Sequence, residues 1–291
     1  MDESNFEIQA RQQLSESDLT AIRGLEGLSN NHEGLHMRLN WDMLYERKPD
    51  ETNDFLCFDS SGQLVGYLAL YCFGRPEAEI SGMVHPLHRR SGIFSKLLKR
   101  ASDECRQRGI KSLLFICERN SSSGLAFVKA HNAGYDHSEN KMEIPGDTEP
   151  LELHSSVILR PAGSEDFNML ARMDAISFGE TEEESRVYYN DDHLISTDEM
   201  FVSVLDGVDI GKVRLCKENE DVLIFGFVIQ PEYRGKGYGR ATLGRAVNAA
   251  LEHKPKRVML EVDCVNDTAL SLYKSCGFKT LTTFDYYRLP L

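Results

Sequence analysis

The chain has 291 residues, 41% of them apolar, and a formal net charge of −13. That length allows two domains of ordinary size, each with its own core, while the acidic balance makes a nucleic-acid backbone a poor partner and weakly favours a cationic amine. No apolar run approaches membrane-spanning length, and the acidic start Met1-Asp2-Glu3-Ser4 lacks the basic-then-apolar order of a signal peptide, so a cytoplasmic protein that engages no membrane is expected.

Seven cysteines without a Cys-x-x-Cys pair read as reduced packing residues. Near the start, His32-Glu33-Gly34-Leu35-His36 fits the pattern that in zinc metalloproteases sets two histidines on one helical face around a glutamate base. Gly34 weakens a helix and no third ligand follows, so the segment is expected to join two helices. No metal is assigned, and a zinc metalloprotease built on His32, Glu33 and His36 is kept only as a remote alternative. Further on, Val84-His85-Pro86-Leu87-His88-Arg89-Arg90-Ser91-Gly92-Ile93-Phe94 leads into a helix with Phe94, Leu97, Leu98, Ala101 and Cys105 on one face. A second helical segment carries Gly124 to His131.

The polar run Pro145-Gly146-Asp147-Thr148-Glu149-Pro150 is the expected join between domains 1–150 and 151–291. After it, Val157 to Arg160 reads as a strand, and Glu165 to Ile176 and Glu182 to Tyr189 read as helices. The strand Phe201 to Leu205 turns at Asp206-Gly207, a strong hairpin signal. An apolar strand, Val222 to Ile229, enters the loop Arg234-Gly235-Lys236-Gly237-Tyr238-Gly239, followed by a helix with Leu243, Val247, Ala250 and Leu251 on one face. Along Arg257 to Cys264, alternation sets Val258, Leu260, Val262 and Cys264 against Met259, Glu261 and Asp263.

One offset organises this order. Gly62 and Gly207, Gly66 and Gly211, Pro86 and Pro231, Arg89 and Arg234, and Gly92 and Gly237 are each 145 residues apart, so the chain holds two copies of one domain.

The loop after Ile229 is an anion site, because glycines expose backbone N–H groups at a helix N-terminus and Arg234 and Lys236 add positive charge. It lacks the Gly-Lys-Ser/Thr ending of a P-loop. Its alternating glycines also differ from the dinucleotide fingerprint. The run Phe227-Val228-Ile229-Gln230-Pro231-Glu232-Tyr233-Arg234-Gly235-Lys236-Gly237-Tyr238-Gly239-Arg240 closely resembles the acetyl-CoA motif of the GNAT superfamily of N-acetyltransferases. Its companion, Leu260 to Phe278, resembles the fifth strand and fourth helix of that fold. The chain is thus similar to tandem GNAT proteins, an arrangement shared with mycothiol synthase.

The resemblance implies an α/β fold with a mixed sheet in two tandem acyltransferase domains, acetyl-CoA as co-substrate, and transfer to a primary amine of a small molecule or peptide. It assigns cofactor binding to Phe227, Val228, Ile229, Arg234, Gly235, Lys236, Gly237, Tyr238, Gly239, Arg240 and Asn266, where the pantetheine arm enters a gap between splayed strands. A free N–H of Val228 or Ile229 would polarise the thioester carbonyl.

Tyr273 is the expected acid, giving its proton to the departing thiolate, and Glu261 the expected base. The plainer readings are a space-filling tyrosine, a solvated strand carboxylate, and for Asn266 a helix cap. The acidic, aromatic segment Glu180 to Asp192, with Tyr188 and Tyr189, falls where the acceptor is usually covered. In the first half only Gly92 of the three loop glycines survives, Phe94 is expected to crowd the pyrophosphate, and no tyrosine matches Tyr273. Residues 1–150 are therefore expected to be the degenerate copy and 151–291 the catalytic one, in a monomer with packed halves. The alternative is a non-catalytic, CoA-binding regulatory protein.

Overall fold

A computed structural model describes residues 6–73, 76–179, 181–187, 189 and 198–291. The chain divides into two compact units, Met1–Ser138 with Thr282–Leu291, and Glu139–Leu281. The crossings therefore fall inside two strands, β6 (Gly134–Pro145) and β12 (Lys279–Pro290), and not in the polar run ending at Pro150. That run is tied into the second unit, where Gly146 N donates to Lys256 O and Leu151 N to Asn248 Oδ1.

The first unit contains β1 (Glu7–Arg11), α1 (Glu16–Glu33), α2 (Trp41–Tyr45), β2 (Asp54–Phe58), β3 (Leu64–Tyr71), β4 (Glu77–Val84), α3 (Ile93–Gln107), β5 (Ser112–Glu118) and α4 (Ser122–Ala130). Its strands run in the order β1-β2-β3-β4-β5-β12. The pair β4 and β5 is parallel, and β12 lies antiparallel on β5 from Phe284 opposite Glu118 to Pro290 opposite Ser112. As the apolar spacing of α3 requires, Ile93, Leu97, Leu98, Ala101 and Cys105 bury against Val65, Leu68 and Ile80 on one face of this sheet. The other face is covered through Ile22 and Leu25 of α1 packing with Tyr67 and Tyr71.

The second unit contains β7 (Ile158–Pro161), α5 (Phe167–Phe178), α6 (Glu182–Val187), β8 (Asp198–Leu205), β9 (Val208–Glu218), β10 (Asp221–Ile229), α7 (Tyr238–Glu252), β11 (Arg257–Asp263) and α8 (Asp267–Ser275). Its strand order is β6-β11-β10-β9-β8-β7. The Asp206-Gly207 hairpin forms as the dipeptide requires, with φ of 51° and 82° at the two positions and Leu205 opposite Val208. Leu243, Ala246, Val247 and Ala250 of α7 meet Val258, Leu260 and Val262 of β11 in the main core. All seven cysteines are free thiols. Among the described residues no helix is long and apolar enough to cross a membrane.

Candidate active site

The two strands beside the loop of the second unit separate early. Parallel pairing of β10 with β11 runs only from Asp221 opposite Arg257 to Leu223 opposite Met259. On the other edge of β10, Phe225 faces Arg214 and Val228 faces Lys212, so Gly226 and Phe227 together oppose the single residue Val213. This is a β-bulge, and Gly226 takes its positive φ of 55°. Beyond it β10 and β11 diverge, leaving a gap that opens toward the loop.

Strand alternation settles which backbone groups face that gap. Gln230 N donates to Ile210 O on the β9 side, so Ile229 directs its backbone groups the other way. Val228 faces β9, with its carbonyl 2.3 Å from where a Cβ on Gly211 would sit. Of the two expected donors, Ile229 fits the gap and Val228 does not.

At the loop, Pro231–Tyr233 forms a short 3-10 turn and Gly237 is the N-cap of α7. Gly235 and Gly237 have φ of 72° and 84° with open space around them, so backbone conformation is what demands glycine there. Gly239 is different: a Cβ would meet only ordinary contacts, at 3.5 Å from Leu272 and 3.8 Å from Phe227. Arg234 serves as an internal brace, its Nε donating to Ile229 O at 2.7 Å. Lys236 reaches Glu232 O, Tyr238 packs beside Val157 and Ala241, and Arg240 is exposed.

Asn266 caps α8, its Oδ1 accepting from Ala269 N at 3.1 Å. One face of α8 brings Tyr273 to the gap, with its ring 6.4 Å from Phe227 and 6.2 Å from Phe278. The side chain is 8% exposed, and no described residue hydrogen-bonds its hydroxyl. Burial pushes the Tyr273 hydroxyl up to about 12. A phenol of pKa about 10 is already a weaker acid than a thiol near 8.5. Burial widens that gap, so full transfer to a free thiolate runs uphill and the hydroxyl is suited to donating a hydrogen bond as charge develops on sulfur. Glu261 is half-buried on the opposite face of β11, directly across from Lys141 of β6.

On that opposite side lies a cluster that strand patterning did not single out. Lys212 is 2% exposed, with Nζ 2.5 Å from Asp174 Oδ1, and it donates to the Tyr189 hydroxyl at 2.9 Å. That hydroxyl in turn donates to Asp174 Oδ2 at 2.6 Å, so Tyr189 is a buried core residue and does not line an acceptor surface. The Arg214 guanidinium stacks 4.5 Å from the Tyr189 ring. A Cβ on Gly226 would lie 3.5 Å from Lys212 Nζ, so the cluster adjoins the bulge. Glu182, Glu183 and Glu184 are exposed on α6, whereas residues 180, 188 and 190–192 of the expected acceptor cover lie outside the described residues.

The first unit holds a comparable cleft, with a cavity of about 870 Å³ lined by β4, the Arg89 to Phe94 loop, Phe115 to Cys117 and α4. The loop backbone repeats that of the second unit. Gly92 takes φ 78° where Gly237 has 84°, and Arg90 takes φ 66° where Gly235 has 72°. Arg89 Nε braces Val84 O as Arg234 braces Ile229 O. Phe94 does not crowd the loop; its ring lies over Gly82, with Cε2 2.7 Å from where a Cβ would sit there. The His-Glu-x-x-His reading fails on geometry, since α1 ends at Glu33 and Gly34 turns left-handed at φ 66°, so His32 and His36 share no helical face.

A splayed, bulged strand feeding a glycine loop and a helix N-terminus defines a class of coenzyme-binding acyltransferase folds. The description "Acetyltransferase (GNAT) family" matches residues 21–131 and again 167–278, and the chain belongs to that family. A GCN5-related N-acetyltransferase from Sphaerobacter thermophilus superposes with a TM-score of 0.79 at 18% identity, covering 97% of this chain and 95% of that one. A tandem GNAT protein from the clavulanic acid biosynthesis pathway gives 0.78 at 18% identity, covering 98% of each. Rat N-acetylaspartate synthetase (Rattus norvegicus) is 34% identical over 92 residues, which is 31% of this chain and 31% of the rat protein. The human protein of that name is 33% identical over 92 residues, 31% of this chain and 30% of its own length.

Proposed function

We propose that the protein transfers the acetyl group of acetyl-CoA to the primary amine of a small molecule, with the chemistry in the second unit. The observation that carries this reading is the bulge at Gly226 and Phe227, beside which parallel pairing stops at Leu223. A pantetheine arm can complete the vacated edge of β10 there. The Ile229 N–H would then face the arm, the Gly235 to Gly239 loop would receive the pyrophosphate, and the acyl carbonyl would reach the bulge.

In this mechanism the amine attacks the thioester carbonyl and the C–S bond breaks. The amine proton leaves toward Glu261, directly or through water, while Tyr273 donates a hydrogen bond to the sulfur as it takes up negative charge. The first unit binds the same class of nucleotide without turnover, because Val128 stands where Tyr273 does and its cleft lacks a phenol there. A cytoplasmic location belongs to this reading, in keeping with seven free thiols.

The deciding experiment measures thiol release from acetyl-CoA against a panel of amines, beginning with amino acids such as aspartate and continuing to polyamines and peptide N-termini. Amine-dependent release supports the reading. Saturable acetyl-CoA binding with no release for any amine favours the non-catalytic alternative.

A further inference from the structure

The carboxylate of Glu33 joins the two walls of the first unit's cleft. From the loop wall, Arg89 Nη1 lies 2.8 Å from Oε2. From the other wall, at the start of α4, Ser123 Oγ donates to Oε2 at 2.8 Å, while Ser122 Oγ and Ser123 N donate to Oε1 at 2.9 and 3.3 Å. These donors, a guanidinium beside a phosphate loop and the hydroxyls and N–H of a helix N-terminus, are the kind that bind a phosphate. Burial alone would raise the Glu33 carboxyl, but hydrogen bonds from Ser123 and Ser122 and the charge of Arg89 outweigh it and hold it below the usual glutamate range.

The second unit cannot make this strap. Both α1 and α5 end in a left-handed glycine, Gly34 and Gly179, 145 residues apart. The last helical residue before each is Glu33 in one and Phe178 in the other, and Phe178 is 56% exposed. The positions matching Ser122 and Ser123 are Asp267 and Thr268, so even a carboxylate at 178 would meet a like charge. The strap therefore belongs to the first unit's copy of the site.

We propose that Glu33 is a built-in competitor for the anion site of the N-terminal cleft: it stands in for a ligand phosphate, and a coenzyme A-type nucleotide enters only by displacing it. This rests on the reading that the first unit takes such a nucleotide. A cleft open one time in ten raises the apparent Kd about tenfold, so strap strength sets the concentration at which the first unit fills.

The test uses the full chain with Gly237→Glu, which disables the loop of the second unit, and follows coenzyme A by calorimetry. Adding Glu33→Ala is expected to tighten binding about tenfold and Glu33→Gln about threefold, each in a chain that still unfolds cooperatively at a melting temperature lowered by the lost Arg89 and serine contacts. Pyrophosphate should gain in parallel, while pantetheine, which lacks the pyrophosphate, gains nothing. Unchanged, weaker or absent coenzyme A binding in both double variants overturns the proposal, as does an equal gain for pantetheine. Turnover of Glu33→Ala with Gly237 intact separates the two readings. A large rise there sinks the assignment of chemistry to the second unit and leaves the strap standing.

Discussion

In the first unit the aromatic ring between strand and helix is carried by the helix, at Phe94 over Gly82; in the second it is carried by the strand, at Phe227 over Gly239. The positions correspond at the 145-residue offset. The ring fills the same space from opposite sides, and the difference traces to the bulge. Unbulged β4 sets Gly82 opposite Leu68 with the Tyr67 carbonyl 2.5 Å from any Cβ, so no side chain fits there. Bulged β10 turns its strand out and makes room for Phe227. A glycine missing from a phosphate loop is therefore weak evidence of decay when the space it would have left is filled by design elsewhere. On the proposed reading, the functional contrast lies in Tyr273 against Val128, in the bulge, and in the Glu33 strap.

This contrast can be broken most forcefully at the loops. Gly237→Glu forces a side chain into a left-handed N-cap and should lower kcat/KM for acetyl-CoA by about 100-fold or more. Gly92→Glu, its counterpart, should change turnover less than about threefold; the reverse ranking would move catalysis to the first unit. The ring exchange is tested by stability. Phe94→Ala removes the partner of Phe127, 4.8 Å away, and should cost about 3 kcal/mol in chemical denaturation. A loss below about 0.5 kcal/mol would show the ring fills nothing.

At Tyr273, replacement by Phe should lower kcat roughly 10- to 100-fold with KM for acetyl-CoA nearly unchanged. Because burial pushes its hydroxyl up to about 12, the wild-type rate should show no alkaline fall from this group up to pH of about 10. A turnover equal to wild type removes Tyr273 from the mechanism. Smallest is Glu261→Gln, expected to lower kcat about tenfold. An unchanged pH–rate profile would remove Glu261 from the mechanism and leave it a carboxylate of β11 set across from Lys141.

Much of this was legible in the residues. Asp206-Gly207 announced its hairpin, the helix faces through Leu97 and Val247 announced their cores, and the alternating glycines announced the loop. The rest was hidden for physical reasons. Alternation along β9 marks Lys212 and Arg214 as one polar face, which ordinarily faces water; only α5 and Tyr189 closing over it make them buried. Arg90 gives no sign in sequence that it will adopt the conformation of Gly235. Glu33 looked like part of a metal motif because its partners, Arg89, Ser122 and Ser123, are far off in the chain. The crossing of β6 and β12 between the units was hidden too, because periodicity identifies a strand and says nothing of its neighbour.

The placement of that last strand sets an order on synthesis. Asp285 pairs with Cys117, and Arg119 holds the Asp285 carboxylate at 2.6 Å. The N-terminal unit therefore waits, with the edge of β5 uncovered, until all of Glu139–Leu281 has emerged, and closing so long a loop makes this a late and slow step. The unit that begins first on the ribosome is finished last, and a chain stalled before residue 282 would leave that β5 edge open to pairing with other chains.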